Sequence, residues 1–339
     1  MSVQYVFTMH KLSKIWPGGK EVFKDINLSF LPGAKIGVLG LNGSGKSTLL
    51  KIIAGLDQEF IGEAWPADGI SVGFLAQEPS LDENKDVHGN VLEGLEEEKE
   101  LLDKFNEISS SFTSDIDDNE MNDLILKQSE IQEKIDQLDA WDIDRKVEIA
   151  MEALRLPKSD QSVKNLSGGE KRRVALCKLL LSSPDILLLD EPTNHMDAET
   201  VSWLQRFLHD YKNTVITVTH DRYFLDEVAG WILEIDRGRG IPYEGNYSGW
   251  LDQKRRRLEV ENKSELTRQK ALDDEIEWVR SSPKARQAKS KARLNAYDEL
   301  FKKENLKKEE IRRISIPSGP RLGDLVIECK NLSKSYDDK

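Results

Sequence analysis

The chain has 339 residues, a formal net charge of −12 and 32% charged residues, a length sufficient for about two domains with separate cores. Its two cysteines, Cys177 and Cys329, give no disulfide framework or metal-ligand spacing, which favours a reducing compartment. The amino terminus lacks the apolar core of a signal peptide, and no apolar run reaches the roughly 18 residues of a membrane span. We therefore expect a cytoplasmic protein without a membrane segment.

Charge is distributed unevenly along the chain. Residues 82–144 contain 21 Asp and Glu against 5 Lys and Arg. Residues 251–320 show the reverse, with 19 Lys and Arg against 13 Asp and Glu. This asymmetry indicates either a partner-facing arm and a polyanion-facing segment, or two solvated helical hairpins.

A phosphate-binding loop is predicted near the amino terminus. Residues 5–7 and 26–30 alternate between apolar and polar, as in half-buried antiparallel strands, and Pro32-Gly33 predicts a turn. A short strand over residues 35–39 then runs into residues 40–47, a complete G-x-x-x-x-G-K-S, and an amphipathic helix follows. A chance match would lack both flanking elements.

The residues of this phosphate loop (residues 40–47) have distinct predicted roles. Its glycines let successive backbone N–H groups face a β-phosphate, Lys46 reaches the β- and γ-phosphate oxygens, and the Ser47 hydroxyl can ligate Mg²⁺. The predicted nucleotide contacts are Gly40, Leu41, Asn42, Gly43, Ser44, Gly45, Lys46, Ser47 and Thr48.

A glutamine follows the next alternating stretch, residues 70–74. At the carboxyl end of a strand, Gln77 is placed to contact Mg²⁺ or the attacking water. An ordinary polar loop residue is the alternative.

Residues 166–170 (LSGGE), here termed the glycine-pair motif, stand at the predicted start of a helix. Ser167 and Glu170 fit a capping box, which needs no glycine. Each glycine costs about 1 kcal/mol relative to Ala within a helix, so the pair indicates close approach of the backbone to a phosphate. Ser167, Gly168 and Gly169 are therefore candidate nucleotide contacts.

Polar side chains follow two predicted strands. The apolar run over residues 186–189 ends in Asp190 and Glu191, and a strand over residues 213–219 ends at His220. Ligands bind at the carboxyl ends of strands in open α/β sheets. We expect Asp190 to hold Mg²⁺ through water, Glu191 to orient or deprotonate the attacking water, and His220 to contact the γ-phosphate. Together with Lys46, Glu191 and His220 are the candidate catalytic residues.

Two helical hairpins are predicted outside this core. Apolar residues at helical spacing flank a polar turn within residues 93–141, the acidic arm, where no catalytic constellation occurs. A charged helical pattern begins at residue 247, breaks at residues 281–283 and resumes over residues 286–314, which predicts an antiparallel hairpin with helices about 45 Å long. Its bend carries six cations with no acid between them, here termed the bend cations: Arg280, Lys284, Arg286, Lys289, Lys291 and Arg293. They suit a nucleic-acid phosphate backbone, and a solvated coiled coil is the alternative.

A short internal repeat occurs at the carboxyl end. Residues 331–336 (NLSKSY) echo residues 11–16 (KLSKIW), and each follows a short strand pattern, at residues 326–328 and 6–8. The repeat predicts that the chain reaches into a second copy of its first domain. It also suggests a shared role for Trp16 and Tyr336, either stacking on adenine or packing within the strands.

These motifs, in this order, resemble an ATP-binding cassette domain, and residues 190–197 (DEPTNHMD) resemble the DEPTNHLD of the cassette-F (ABC-F) subfamily, with Met196 replacing leucine. The resemblance implies an α/β fold, a P-loop NTPase core with an antiparallel β subdomain and a helical subdomain, followed by a helical-hairpin linker. The implied boundaries are residues 1–245 for the cassette with its acidic arm, 246–320 for the linker and 321–339 for the start of a second cassette.

Residues 275–300 (EIEWVRSSPKARQAKSKARLNAYDEL) and 316–324 (IPSGPRLGD) resemble the tRNA-interacting linker of a translation-regulating member of that subfamily. The acidic arm resembles the segment by which that member contacts the ribosomal L1 stalk. The resemblance implies binding in the ribosomal exit site, linker contacts with peptidyl-site tRNA and 23S rRNA, and coupling of the ATP/ADP state to entry into elongation.

Hydrolysis of ATP with Mg²⁺ is implied as well. Asp190 and Glu191 would serve the ATP of this chain's own phosphate loop, while the glycine-pair motif would face the ATP of a second cassette. The alternatives are a ribosome-protection or DNA-associated ATPase of the same subfamily, or the ATPase subunit of a membrane transporter.

Overall fold

The computed structural model describes residues 5–112, 118–281 and 328–333. The chain divides into two units, residues 1–259 and residues 260–339. None of the helices in the described ranges combines the length and apolar character needed to cross a membrane.

The strands of the described chain form two sheets, one of three strands and one of six. In chain order they are β1 (Phe7–Ile15), β2 (Glu21–Phe30), β3 (Lys35–Gly40), β4 (Ile61–Pro66), β5 (Val72–Leu75), β6 (Ile186–Asp190), β7 (Thr214–Val218), β8 (Trp231–Asp236) and β9 (Arg239–Glu244).

The helices of the same ranges lie mostly between β5 and β6 and after β6. They are α1 (Lys46–Ile53), α2 (Val87–Leu92), α3 (Glu96–Ser111), α4 (Asp118–Leu138), α5 (Ile143–Ala153), α6 (Gly168–Leu181), α7 (Ala198–Asp210), α8 (Arg222–Val228) and α9 (Tyr247–Ser281).

The smaller sheet is antiparallel, in the order β2-β1-β4. The strand predicted to end near Thr8 is in fact longer, because β1 continues through an irregularity at Lys11, which has a φ of 49°. The prediction that residues 11–16 follow the strand was therefore wrong for residues 11–15, which lie inside it. β4 was missed because most of its residues are exposed and carry no apolar alternation.

The larger sheet has the order β5-β6-β7-β3-β8-β9 and is parallel except for β9. Every residue of β6 and β7 is buried, as expected for central parallel strands covered on both faces, and this explains their apolar runs. The strands predicted at residues 35–39, 186–189 and 213–219 are confirmed.

The larger sheet is the middle layer of the fold. Ile186 and Leu188 of β6 pack in one core with α1 and the antiparallel sheet, whereas Leu187 and Leu189 pack in another with helices that include α6 and α7. Because successive side chains of a strand point to opposite faces of the sheet, β6 packs against both layers. The strand ends between these layers are thereby fixed in position.

The acidic arm contains the predicted helix pair. α3 and α4 contact each other, with the Gln128 side-chain amide donating to Ser109 Oγ at 2.9 Å. The Phe105 and Trp141 rings meet edge to face, with their centroids 5.1 Å apart. None of the residues of α3 is buried, so the pair is solvated along most of its surface.

Candidate nucleotide-binding site

The phosphate loop joins β3 to α1 through a tight backbone path. Gly43 and Gly45 have φ values of 79° and 96°, a region that side chains disfavour. A Cβ at Gly45 would lie 2.3 Å from Val22 Cγ1, and one at Gly40 would lie 2.8 Å from the Ile235 carbonyl oxygen. Glycine is therefore required at both ends of the loop by the chain's own packing.

Lys46 lies over this loop. Its ammonium donates to the carbonyl oxygens of Gly40, at 2.9 Å, and Leu41, at 3.1 Å. Burial lowers the pKa of Lys46, and the negative charges of Glu191 and Asp190 oppose that shift. The structure thus brings the lysine and the two carboxylates, distant in sequence, within electrostatic reach.

The other predicted loop residues differ in exposure. Leu41, Asn42 and Gly43 are exposed, while Ser47 and Thr48 lie half-buried in the first turn of α1. Among the described residues the buried Ser44 Oγ has no hydrogen-bond partner.

Asp190 ends β6 and is only 2% exposed. Its Oδ1 atom is buried without a hydrogen-bond partner in the part of the chain that the structure describes. A buried carboxylate oxygen left unpaired is costly unless something binds it, and a hard cation such as Mg²⁺ prefers oxygen ligands. This unpaired oxygen and the Ser47 hydroxyl are the donor types that a Mg²⁺ site needs.

Glu191 has a φ of 55°, and its N–H donates to the Val218 carbonyl at 2.7 Å. His220 Nε2 lies 3.5 Å from Glu191 Oε1. Burial raises the pKa of Glu191, and the His220 and Lys46 charges oppose the rise while Asp190 adds to it. A carboxylate that is only 8% exposed and has a raised pKa is suited to accept a proton from water.

Gln77 lies at the same edge of the sheet. β5 pairs in parallel with β6, and Leu75 lies opposite Leu189. Gln77 comes two residues after the end of β5, whose neighbour β6 ends at Asp190. Its side chain is exposed. A contact with Mg²⁺ stays a prediction.

The glycine-pair motif begins α6 as a complete capping box. Ser167 Oγ accepts from the Glu170 N–H at 3.3 Å, and Glu170 Oε2 accepts from the Ser167 N–H at 2.8 Å and hydroxyl at 2.7 Å. These hydrogen bonds lower the pKa of Glu170. A Cβ at Gly168 would meet nothing within 4 Å, whereas one at Gly169 would lie 3.3 Å from His195 Cβ.

Trp16 directly follows β1 and is half-buried. Lys20 Nζ lies 5.5 Å from the centroid of its ring. The Trp16 ring packs partly against the core beside α1. This position is compatible with adenine stacking and with packing within the strands, so both stay predictions. Tyr336 lies outside the described residues.

The helix predicted from residue 247 is confirmed as α9. Arg280 is the penultimate residue of α9, while Lys284, Arg286, Lys289, Lys291 and Arg293 lie outside the described residues. Their contact with RNA stays a prediction.

Two residues beside the site were missed. Asp221 follows His220 and caps α8, with its carboxylate accepting from the N–H groups of Tyr223 and Phe224 at 3.0 and 3.1 Å. The cap preference for Asp was a usable signal. Arg172 is only 6% exposed and donates to the carbonyl oxygens of Asp190 and Glu191, the second at 2.9 Å. No pattern marked it, since arginine on a helix is usually exposed.

A cavity of about 560 Å³ adjoins the catalytic candidates. Its lining combines Glu191 and His220 with the loop after Glu191, the start of α7 and Tyr223. No residue of the phosphate loop lines this cavity.

The parallel sheet carries a phosphate loop and two carboxylates at one edge, and an antiparallel sheet and a helical region flank it. This arrangement defines a nucleotide-binding cassette. A family model described as ABC transporter matches residues 23–194, and a second model with that description matches residues 233–316. The chain belongs to the ABC transporter family.

Curated relatives indicate which members of this family the chain resembles. The chain is 55% identical over 339 residues to a protein named energy-dependent translational throttle protein EttA from Haemophilus influenzae, covering all of this chain and 61% of that protein. It is 52% identical over 238 residues to the ATP-binding protein ChvD from Rhizobium radiobacter, covering 70% of this chain and 80% of that protein. The chain thus spans about three-fifths of the length of the throttle proteins.

A solved structure shares the fold. A dimeric ATP-binding cassette in a post-hydrolysis state, bound to ADP and Pi, aligns over 70% of this chain and 98% of its own, with 22% identity and a TM-score of 0.50. At this identity the likeness extends to the fold alone.

Proposed function

We propose that this chain comprises the first ATP-hydrolysing cassette and the linker of a translation factor that gates entry into elongation according to the ATP/ADP state. The observation that carries the proposal is the identity of 52–55% to throttle proteins along essentially the whole chain, acidic arm and linker included. The cassette supplies the ATP-dependent step, and the arm and linker supply the contacts with the ribosome.

At the phosphate loop, backbone N–H groups and Lys46 bind the β- and γ-phosphates of ATP. Ser47, Gln77 and Asp190 would hold Mg²⁺, which when bound neutralises charge on the phosphate oxygens. The unpaired Asp190 oxygen supports that assignment.

Glu191 acts as the base that orients and deprotonates the attacking water. Its raised pKa and its position 3.5 Å from His220 suit this role, because His220 can orient the carboxylate and contact the γ-phosphate. Removing a general base typically costs a factor of about 100 to 10,000 in turnover.

The glycine-pair motif faces the ATP of a second cassette. Gly168 has open space around it and no internal packing role, which is what contact with an external phosphate requires. ATP would therefore close two cassettes on each other, and hydrolysis would release them. A single cassette is expected to bind ATP but to hydrolyse it slowly.

On the ribosome, the protein would occupy the exit site. The acidic arm would contact the L1 stalk, and the bend cations would contact peptidyl-site tRNA and 23S rRNA. The arm and the linker would supply the specificity for the ribosome.

The test is co-sedimentation of the full-length protein with ribosomes in ATP, in ADP and without nucleotide. Glu191→Gln keeps the shape of the side chain but removes the base, so the variant should stay bound in ATP and lose turnover by a factor of 100 or more. Glu227→Gln, at an exposed glutamate of α8, is the matched control and should release like the wild type. Equal sedimentation of wild type and Glu191→Gln in ATP would contradict the proposed coupling.

A further inference from the structure

Glu191 sits in a strained backbone conformation. Its φ of 55° is unfavourable for a residue with a side chain, so its surroundings must hold it there. Its N–H is held by the Val218 carbonyl on the neighbouring strand. The carbonyl side of the same residue is held by Arg172.

Arg172 belongs to α6 and lies eighteen residues before Asp190 in sequence. Its Nη2 donates to the carbonyl oxygens of both Asp190 and Glu191. The guanidinium is buried, so these hydrogen bonds form away from competing water and are charge-assisted. Losing them would remove a donor from both carbonyls, and the Glu191 carbonyl would keep only the hydrogen bond from the Asn194 N–H at 3.2 Å.

The same helix begins with the glycine-pair motif. A second contact joins the two regions, because Gly169 packs against His195, four residues after Glu191. The start of α6 therefore lies next to the loop that follows Glu191.

We propose that Arg172 is the positioning residue for Glu191. It holds the backbone at residues 190–191 so that the Glu191 carboxylate meets His220, and it ties this glutamate to the helix that faces the second ATP. Binding of the second ATP by the start of α6 then stabilises the position of Glu191, the base at the first ATP. This inference rests on the proposed ATPase function.

The experiment compares Arg172→Met and Arg172→Lys with wild type in the full-length protein. Lys178→Met is the matched control, because Lys178 lies on the same helix and loses a partner, Glu93, far in sequence from Glu191. Arg172→Met should lower kcat for ATP at least tenfold with KM and the Kd of a fluorescent ATP analogue within twofold, since Lys46 and the phosphate loop are untouched. Arg172→Lys, which keeps a cationic donor, should recover part of the loss, and Lys178→Met should stay within twofold.

A double variant tests whether Arg172 acts through Glu191. If it does, adding Arg172→Met to Glu191→Gln should lower the residual turnover by less than twofold, whereas independent effects would multiply. A kcat within twofold of wild type for Arg172→Met, or losses that multiply, would overturn the inference.

Amide hydrogen exchange supplies a readout that needs no turnover. In Arg172→Met, and to a smaller extent in Arg172→Lys, the peptide covering residues 186–197 should exchange at least tenfold faster, while Lys178→Met should leave it unchanged. Unchanged exchange in both Arg172 variants overturns the inference even if the wild type proves inactive. Absent turnover in the wild type overturns the proposed function instead, so the two failures are distinct.

Discussion

At the scale of single residues, the two glycines of the glycine-pair motif serve different purposes. Gly168 has free space for a Cβ, whereas Gly169 is packed against His195. Gly168→Ala should therefore leave stability unchanged or raise it by up to about 1 kcal/mol, because alanine is the better helix former. It should nevertheless abolish ATP-dependent closure if the backbone there approaches phosphate.

Gly169→Ala is the comparison for that prediction. Its Cβ would lie 3.3 Å from His195 Cβ, so the His195 loop has to shift slightly and the variant should be less stable than Gly168→Ala. Urea unfolding of both variants, with ATP-dependent cassette association measured alongside, checks the pair. Wild-type closure in Gly168→Ala would remove the glycine-pair motif from the nucleotide contacts.

The two cysteines should differ sharply in reactivity. Burial raises the pKa of Cys177 on α6 to about 12, whereas Cys329 is exposed. Since the thiolate is the reactive form, at pH 8 a thiol reagent should titrate one group per native chain and two after denaturation. Cys329→Ser should remove the fast group, and two fast thiols in the native protein would contradict the burial of Cys177.

The sequence indicated the residue types of the site but not its backbone. The phosphate loop, Asp190, Glu191 and His220 were predicted because each follows a recognisable strand. The φ of Glu191 and the Arg172 hydrogen bonds were not predictable, because both arise from packing between segments that are distant along the chain. Site geometry is in this sense a tertiary property.

At the scale of elements, the root of α9 is attached to β8 by an ionic cluster around the buried Glu234. Glu234, 2% exposed, pairs with Lys254 and lies 3.6 Å from Arg257, which also donates to Asp236 at 2.6 Å. Trp250 packs in the core beneath it, with the Lys254 ammonium 4.9 Å from its ring centroid.

Breaking this cluster should be costly. Lys254→Met leaves the buried Glu234 with less compensation, and we expect a loss of about 2–4 kcal/mol in the free energy of unfolding. Arg255→Met is the matched control, because its pair with Asp252 at 3.8 Å is exposed and should contribute less than about 1 kcal/mol. Denaturant unfolding of both variants checks this, and equal losses would show that the root of α9 is not held by Glu234.

Element prediction succeeded where burial produced a clear pattern. The central strands were found from apolar runs, and the arm and α9 from helical spacing. β9 was missed because its residues alternate weakly; it follows β8 after a tight turn in which Arg237 and Gly238 have φ values of 50° and 76°. Short edge strands gain their structure from pairing with a neighbour and carry little signal of their own.

At the scale of the whole molecule, charge separates the regions that would meet the ribosome. The excess of acid lies in residues 82–144 and the excess of base in residues 251–320. A net negative protein that binds a polyanion must present its cations locally, since its overall charge is repelled. The six bend cations, with no acid between them, are the segment that meets this requirement.

Reversing three of these cations should therefore release RNA. We expect that changing Arg286, Lys289 and Lys291 together to Glu abolishes crosslinking to tRNA or rRNA. The slope of log K against log salt should become shallower by about 3, one unit for each lost phosphate contact. The matched control changes Lys302, Lys303 and Lys307 to Glu, which alters net charge equally at sites away from the bend. It should reduce binding far less, because its cations are interspersed with acids. If crosslinking survives the first change, the linker has no part in the proposed mechanism. If both variants lose RNA binding equally, the bend cations contribute only through the net charge of the protein.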